Sequence, residues 1–131
     1  MQLIDFALGA FASNEHDEGR FVDSIPIAAG QGAMEVRCVH IMPGKRPPER
    51  IDGGVLGELP NGHDHLFLVL QGRGRVSGGT SVRAPIETGQ AAYFPKDEGY
   101  LIFADTPLTG MLIKGGGLEL TPRAMRTVGA S

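Results

Sequence analysis

His65-Leu66-Phe67-Leu68-Val69-Leu70-Gln71-Gly72-Arg73-Gly74-Arg75-Val76 is the stretch that decides the fold. Residues 66–70 are five apolar residues in a row, and a glycine-marked turn follows at once. A run of that kind, bounded by turn signals, predicts a strand buried on both faces. One face fills an interior. The other needs a cover, either the flank of a second sheet or another subunit, which sets the expectation of a homodimer.

Outward from this strand the pattern stays β. Upstream, residues 33–42 form a strand candidate carrying Val36, Val39 and Ile41, and Pro43-Gly44 ends it with a turn. Residues 21–27 read as a short strand or an arm, and residues 53–62 as a long glycine-bearing loop. Downstream, residues 82–86 read as a strand interrupted by Pro85, which places it at a sheet edge. Residues 91–94, 100–104 and 109–114 read as further strands, with 118–120 as a candidate last one. Seven to nine short strands at a spacing of about 8–12 residues predict a sandwich or barrel. The chain divides into an N-terminal arm with first strands (1–32), a barrel (33–122) and a tail (123–131), with no second domain and no internal repeat.

The composition agrees. The chain has 131 residues, 41% of them hydrophobic and 21% charged, values ordinary for a globular domain. Its 20 glycines and 9 prolines lie scattered between apolar runs, as turns do. The formal net charge is −3. Lys45, Arg46 and Arg50 come nearest to a basic stripe, but two prolines and Glu49 interrupt them, so no nucleic-acid partner is expected. No apolar run approaches the roughly 20 residues of a membrane-spanning helix. Residues 1–11 have no basic start and carry Asp5, which sets the expectation of no secretory signal and a cytoplasmic location. The single cysteine, Cys38, excludes an intramolecular disulfide framework and reads as a buried thiol.

Three segments resemble the cupin family. Met42-Pro43-Gly44-Lys45-Arg46-Pro47-Pro48 is similar to the lead-in of its first motif. The stretch from His65 to Val76 resembles the strand and turn that close that motif. Glu87-Thr88-Gly89-Gln90-Ala91-Ala92-Tyr93-Phe94-Pro95, followed by Gly99-Tyr100, resembles its second motif. Over roughly residues 33–115 the resemblance implies an all-β, single-domain jelly-roll barrel of two antiparallel sheets, with a small-molecule ligand in the interior.

It also implies a divalent metal held by three histidines and a glutamate, and there the sequence departs. Counted along the motifs, the two paired histidine positions fall on Arg50 and Asp52, or on Glu49 and Ile51 with a slip of one. The glutamate position falls on His65 and the last histidine position on Tyr100. Arginine is permanently cationic and ligates no metal. Arg50 therefore points to an anionic ligand, or to a pair with Asp52 or Glu49 at the rim.

Two readings of the pocket follow. In the first, His65 is a general base or acid, Tyr100 passes a proton or holds a substrate oxygen, and Arg50, Asp52 and Phe67 contact the substrate. That set suits a lyase, isomerase or epimerase acting on an anionic or carbonyl-bearing metabolite without a metal. In the second, His63 and His65 form an H-x-H on one strand face and hold Zn, Fe, Mn or Ni. Asp52 or Glu58 would supply a carboxylate and Tyr100 a phenolate, as in a metal-dependent dioxygenase or lyase. A non-catalytic binding barrel is the third option. His16 reads as a surface residue, and His40 as the partner of a core hydrogen bond. Lys96-Asp97-Glu98 reads as a solvated turn.

Overall fold

Strand formation follows the alternation of apolar and polar positions. In the computed structural model, which describes residues 1–3, 22–30, 34–43, 55–58, 62–79 and 82–115, nine strands are arranged in two sheets. They are β1 (Val22–Ala29), β2 (Glu35–Ile41), β3 (Val55–Glu58), β4 (Asp64–Gln71) and β5 (Arg73–Ser77), then β6 (Ala84–Glu87), β7 (Ala91–Phe94), β8 (Tyr100–Ala104) and β9 (Leu108–Gly115). The five-stranded sheet runs β1-β2-β9-β4-β7 and the four-stranded sheet β3-β8-β5-β6, with every pairing antiparallel. The all-β, two-sheet jelly roll expected from the sequence is therefore what the chain forms. Among the described residues no helix is long and apolar enough to cross a membrane.

The inner faces meet in one core. Val39, Ile41, Phe67, Val69, Leu108 and Leu112 of the larger sheet pack against Val76, Ile86 and Ile102 of the smaller, with Phe94 and Tyr100 between them. β4 corrects one expectation. It is not buried on both faces: His65, Phe67 and Val69 are buried, whereas Leu66 and Leu68 are half-buried and Leu70 is 41% exposed. Successive side chains of a strand point to opposite faces, and only one face of β4 meets the second sheet.

A second correction concerns residues 53–62, read as loop because of their glycines. Val55–Glu58 is instead strand β3, paired with β8. Gly57 sits opposite Leu101, where a Cβ would come within 2.6 Å of the Leu101 side chain and 2.8 Å of the Tyr100 carbonyl oxygen. This glycine permits close strand approach and is no turn signal. Of residues 21–27, read as a short strand or an arm, the described part from Val22 is strand, since β1 pairs with β2 at the edge of the larger sheet, with a bulge between Pro26 and Ala28. β6, with Pro85, lies at a sheet edge as expected. Residues 118–120 and the tail 123–131 lie outside the described residues.

On the outer face of the larger sheet, Cys38 is a buried thiol whose Sγ lies 3.7 Å from His40 Nε2. His40 Nδ1 in turn shares a 3.0 Å hydrogen bond with Thr109 Oγ1, the structural role expected for it. Asp64, also outward, accepts hydrogen bonds from the Tyr93 hydroxyl (3.2 Å) and the Lys96 main-chain N–H (2.9 Å). Those bonds tie the start of β4 to β7 and to the turn that follows it.

Candidate functional site

Strand register places one polar row across the inner face of the larger sheet. Glu35 of β2 is opposite Lys114 of β9, Lys114 is opposite His65 of β4, and His65 is opposite Phe94 of β7. Across the interior, Glu58 of β3 and Tyr100 of β8 are opposite each other in the smaller sheet. The two sheets therefore bring His65, Tyr100, Glu58 and Lys114 to one end of the barrel.

His65 and Tyr100 are each only 2% exposed. Their rings lie 4.9 Å apart at 53°, and Tyr100 stacks on Phe94 at 4.7 Å and 18°. Glu58 Oε2 approaches His65 Nε2 to 3.1 Å, and the Glu58 side chain is 40% exposed, so it links the buried ring to solvent. The Glu58 carboxylate and the His63 main chain both raise the proton affinity of the ring, but neither makes a hydrogen bond of good geometry to it. Both ring nitrogens of His65 and the Tyr100 hydroxyl are thus buried polar atoms without a hydrogen-bond partner. Such atoms are uncommon in folded proteins, and a water, a ligand group or an ion can complete their bonding.

The electrostatics divide the pair. Burial pulls the His65 pKa down, the Glu58 carboxylate pushes it back up, and the Lys114 cation lowers it again. His65 is held toward its neutral, proton-accepting form. Burial pushes the Tyr100 phenol well above its ordinary value, and the Glu58 charge adds to the effect. Tyr100 therefore stays a neutral phenol near pH 7, able to donate.

The sequence-predicted residues separate. His65 and Tyr100 come together, and Glu58, considered only as a metal carboxylate, joins them. Phe67 belongs to the apolar core and not to the polar row. Its side chain is fully enclosed, its ring occupying the space left by Gly110, where a Cβ would lie 2.5 Å from it. His63 is half-buried just ahead of β4. Arg50, Asp52 and His16 lie outside the described residues. Lys114 was missed, because a lysine ending an apolar strand reads as solvated; only the pairing of β9 with β4 shows that it faces inward.

The cupin resemblance implies a metal, so the donor set decides whether one fits. The donors that gather at this end are the His65 imidazole, the Glu58 carboxylate and the Tyr100 phenol, with the Lys114 charge beside them. Among the described residues no three His, Cys, Asp or Glu side chains gather as a metal-binding group. The described residues do not fit a divalent ion.

A two-sheet jelly roll with a polar row on its inner face is the class of protein these features define. No model of a known family matches the sequence, and no curated protein matches it. Solved structures do share its fold. A cupin superfamily protein from Desulfitobacterium hafniense DCB-2 superposes with a TM-score of 0.56 at 16% identity, over 70% of this chain and 74% of that one. Ectoine synthase from P. lautus gives 0.58 at 14%, over 75% and 66%. KdgF from Halomonas sp. gives 0.57 at 17%, over 72% and 76%. The chain has the cupin jelly-roll fold. At such identities the likeness speaks for the fold and not for the chemistry.

Proposed function

We propose that this protein is a cupin enzyme of the lyase, isomerase or epimerase type. Its substrate is a small anionic or carbonyl-bearing metabolite in the barrel, and its own side chains supply the acid–base chemistry without a metal. The observation that carries the reading is the pair of buried groups from facing sheets that make no hydrogen bond, the His65 ring and the Tyr100 hydroxyl. His65, held toward its neutral form, takes a proton from a carbon next to a carbonyl. The electron pair of the broken C–H bond moves to the carbonyl oxygen, to which Tyr100 donates a hydrogen bond. The Glu58 carboxylate stabilises the imidazolium that results. Return of the proton to the other face, or to another carbon, gives epimerisation or isomerisation. Departure of a β-substituent gives elimination.

The test is a panel of small carboxylic and carbonyl-bearing metabolites, incubated with the protein in D2O and followed by proton NMR. Exchange or conversion of at least one compound is expected, lost in both His65→Asn and Tyr100→Phe while the two variants keep their fold. Turnover unchanged in both variants would overturn the assignment. A compound that raises the melting temperature yet is recovered unchanged and unexchanged identifies a binding barrel instead.

A further inference from the structure

Lys114 is the residue of the polar row that makes no close ion pair, its charge reaching the Glu35 carboxylate only beyond ion-pair distance. Glu35, its direct cross-strand neighbour, is bound by Arg37, whose Nη1 contacts the Glu35 carboxylate. Arg37 is itself anchored to β1, donating from Nε to the Ser24 hydroxyl (2.6 Å) and from Nη2 to the Ser24 carbonyl (3.0 Å). Arg37 thus holds the one carboxylate that strand pairing would have given to Lys114. On the other side Lys114 faces His65, which is no anion. Among the described residues no carboxylate comes within ion-pair distance of Lys114, although it is half-buried. An ammonium drawn partly out of water without a counter-ion is costly, and a bound anion would relieve it.

We propose that Lys114 is the substrate-recognising residue of this pocket and that it selects a monoanionic carboxylate. The assignment rests on the acid–base reading of His65 and Tyr100, because it places the anion beside those two side chains. Opposed residues on paired strands have Cβ atoms about 5 Å apart. A group held by Lys114 therefore sits close to whatever His65 deprotonates. The substrate carries its carboxylate near the reacting carbon, as in short oxo, hydroxy or sugar acids, and not at the far end of a long molecule. One cation without a close ion pair balances one negative charge. A phosphate dianion would exceed it and would face the Glu58 carboxylate across the interior. The carboxylate would also stabilise the imidazolium of His65 as it forms, coupling recognition to proton removal.

The experiment uses three probes on the full chain, followed by saturation-transfer NMR in D2O. Pyruvate has a carboxylate beside a carbonyl, pyruvamide is its uncharged counterpart, and methyl phosphate carries the dianion. Saturable millimolar binding of pyruvate is expected, weakened about tenfold or more in Lys114→Met and largely recovered in Lys114→Arg. Pyruvamide should bind more weakly and be indifferent to Lys114→Met. Equal pyruvate binding by wild type and Lys114→Met, a preference for methyl phosphate, or no saturable pyruvate binding would each overturn the proposal. The acid–base reading fails separately: it falls when His65→Asn leaves the exchange of pyruvate methyl protons with solvent unchanged while Lys114-dependent binding persists.

Discussion

At one end of the barrel interior Val39, Ile41, Val69, Ile102 and Leu108 close on one another, each 3% exposed or less. At the other end His65 and Tyr100 are just as deeply enclosed, yet three of their polar atoms make no hydrogen bond. Depth of burial is the same and its energetic sign is opposite. Each apolar side chain gains by leaving water, about 1.5–3 kcal/mol for a fully buried one. A buried polar group that leaves water without replacing its hydrogen bond costs about 1–3 kcal/mol. Burial alone therefore does not identify a core. The apolar end stabilises the barrel, and the polar end draws on that stability to hold groups ready for a ligand.

The sharpest test of this contrast is at the boundary between the two ends. Phe67 is wholly enclosed, one position along β4 from the polar row on the same face. Phe67→Ala should cost about 3–5 kcal/mol in urea unfolding, because β-sheet walls collapse poorly into the void left by a ring. A loss below about 1 kcal/mol would mean that the ring lines an open pocket, as the sequence alone suggested, and the division into two ends would fail.

The polar end should instead reveal itself through pH. Because the folded-state pKa of His65 lies below its unfolded value, the unfolded chain binds more protons as the solution acidifies. Stability is therefore full above the ordinary histidine range, about 6.5, and falls as the pH drops through it toward the lower folded value. Denaturation midpoints measured from about pH 8 to about pH 5 should decline more steeply for wild type than for His65→Leu. Superimposable curves would show that His65 is not held in its neutral form.

How much of this contrast was readable in advance differs from residue to residue. The run from Leu66 to Leu70 and the turn at Gly72 announced β4, because an unbroken apolar run bounded by turn residues leaves a strong pattern in one dimension. The glycines near Gly57 pointed the wrong way, since a glycine admitting a neighbouring strand and one making a turn look identical in sequence. His65 and Tyr100 were legible through the cupin motifs. Lys114 was not, because its inward direction is a property of register: β9 is assembled between β2 and β4, and Lys114 lies 49 residues or more from either partner residue in the row. The same limit applies to Glu58, whose meeting with His65 depends on a strand that reads as loop.

A smaller and less intuitive effect is expected at Tyr100. Its ring contributes to the core by stacking on Phe94, while its hydroxyl is buried with no partner. Tyr100→Phe keeps the stacking and removes the unmet group, so the variant should be more stable by about 1 kcal/mol while losing turnover. Thermal melts and the exchange assay on the same sample separate the two effects. Destabilisation by more than about 1 kcal/mol would mean that the hydroxyl is bonded within the fold, and that this end of the barrel is structural.

The smallest effect should come from Glu35, where the polar end meets solvent. Its carboxyl is held below the usual range chiefly by the bond from Arg37, with the Arg37 and Lys114 charges adding to that pull. A depressed carboxylate contributes stability that is present above its unfolded pKa and lost as the pH falls through the folded value, so any contribution is fully present at pH 7. The ion pair is nevertheless about a third exposed on both sides, at 33% for Arg37 and 29% for Glu35, and solvent screens most of its worth. Glu35→Gln should change stability by less than about 1 kcal/mol at pH 7 and leave the proton-exchange activity intact, since Arg37 remains anchored on Ser24. A loss on the scale of Phe67→Ala would show that the charged row itself carries the fold. The lack of a close ion pair at Lys114 would then be a by-product of structural pairing and not a device for holding a substrate.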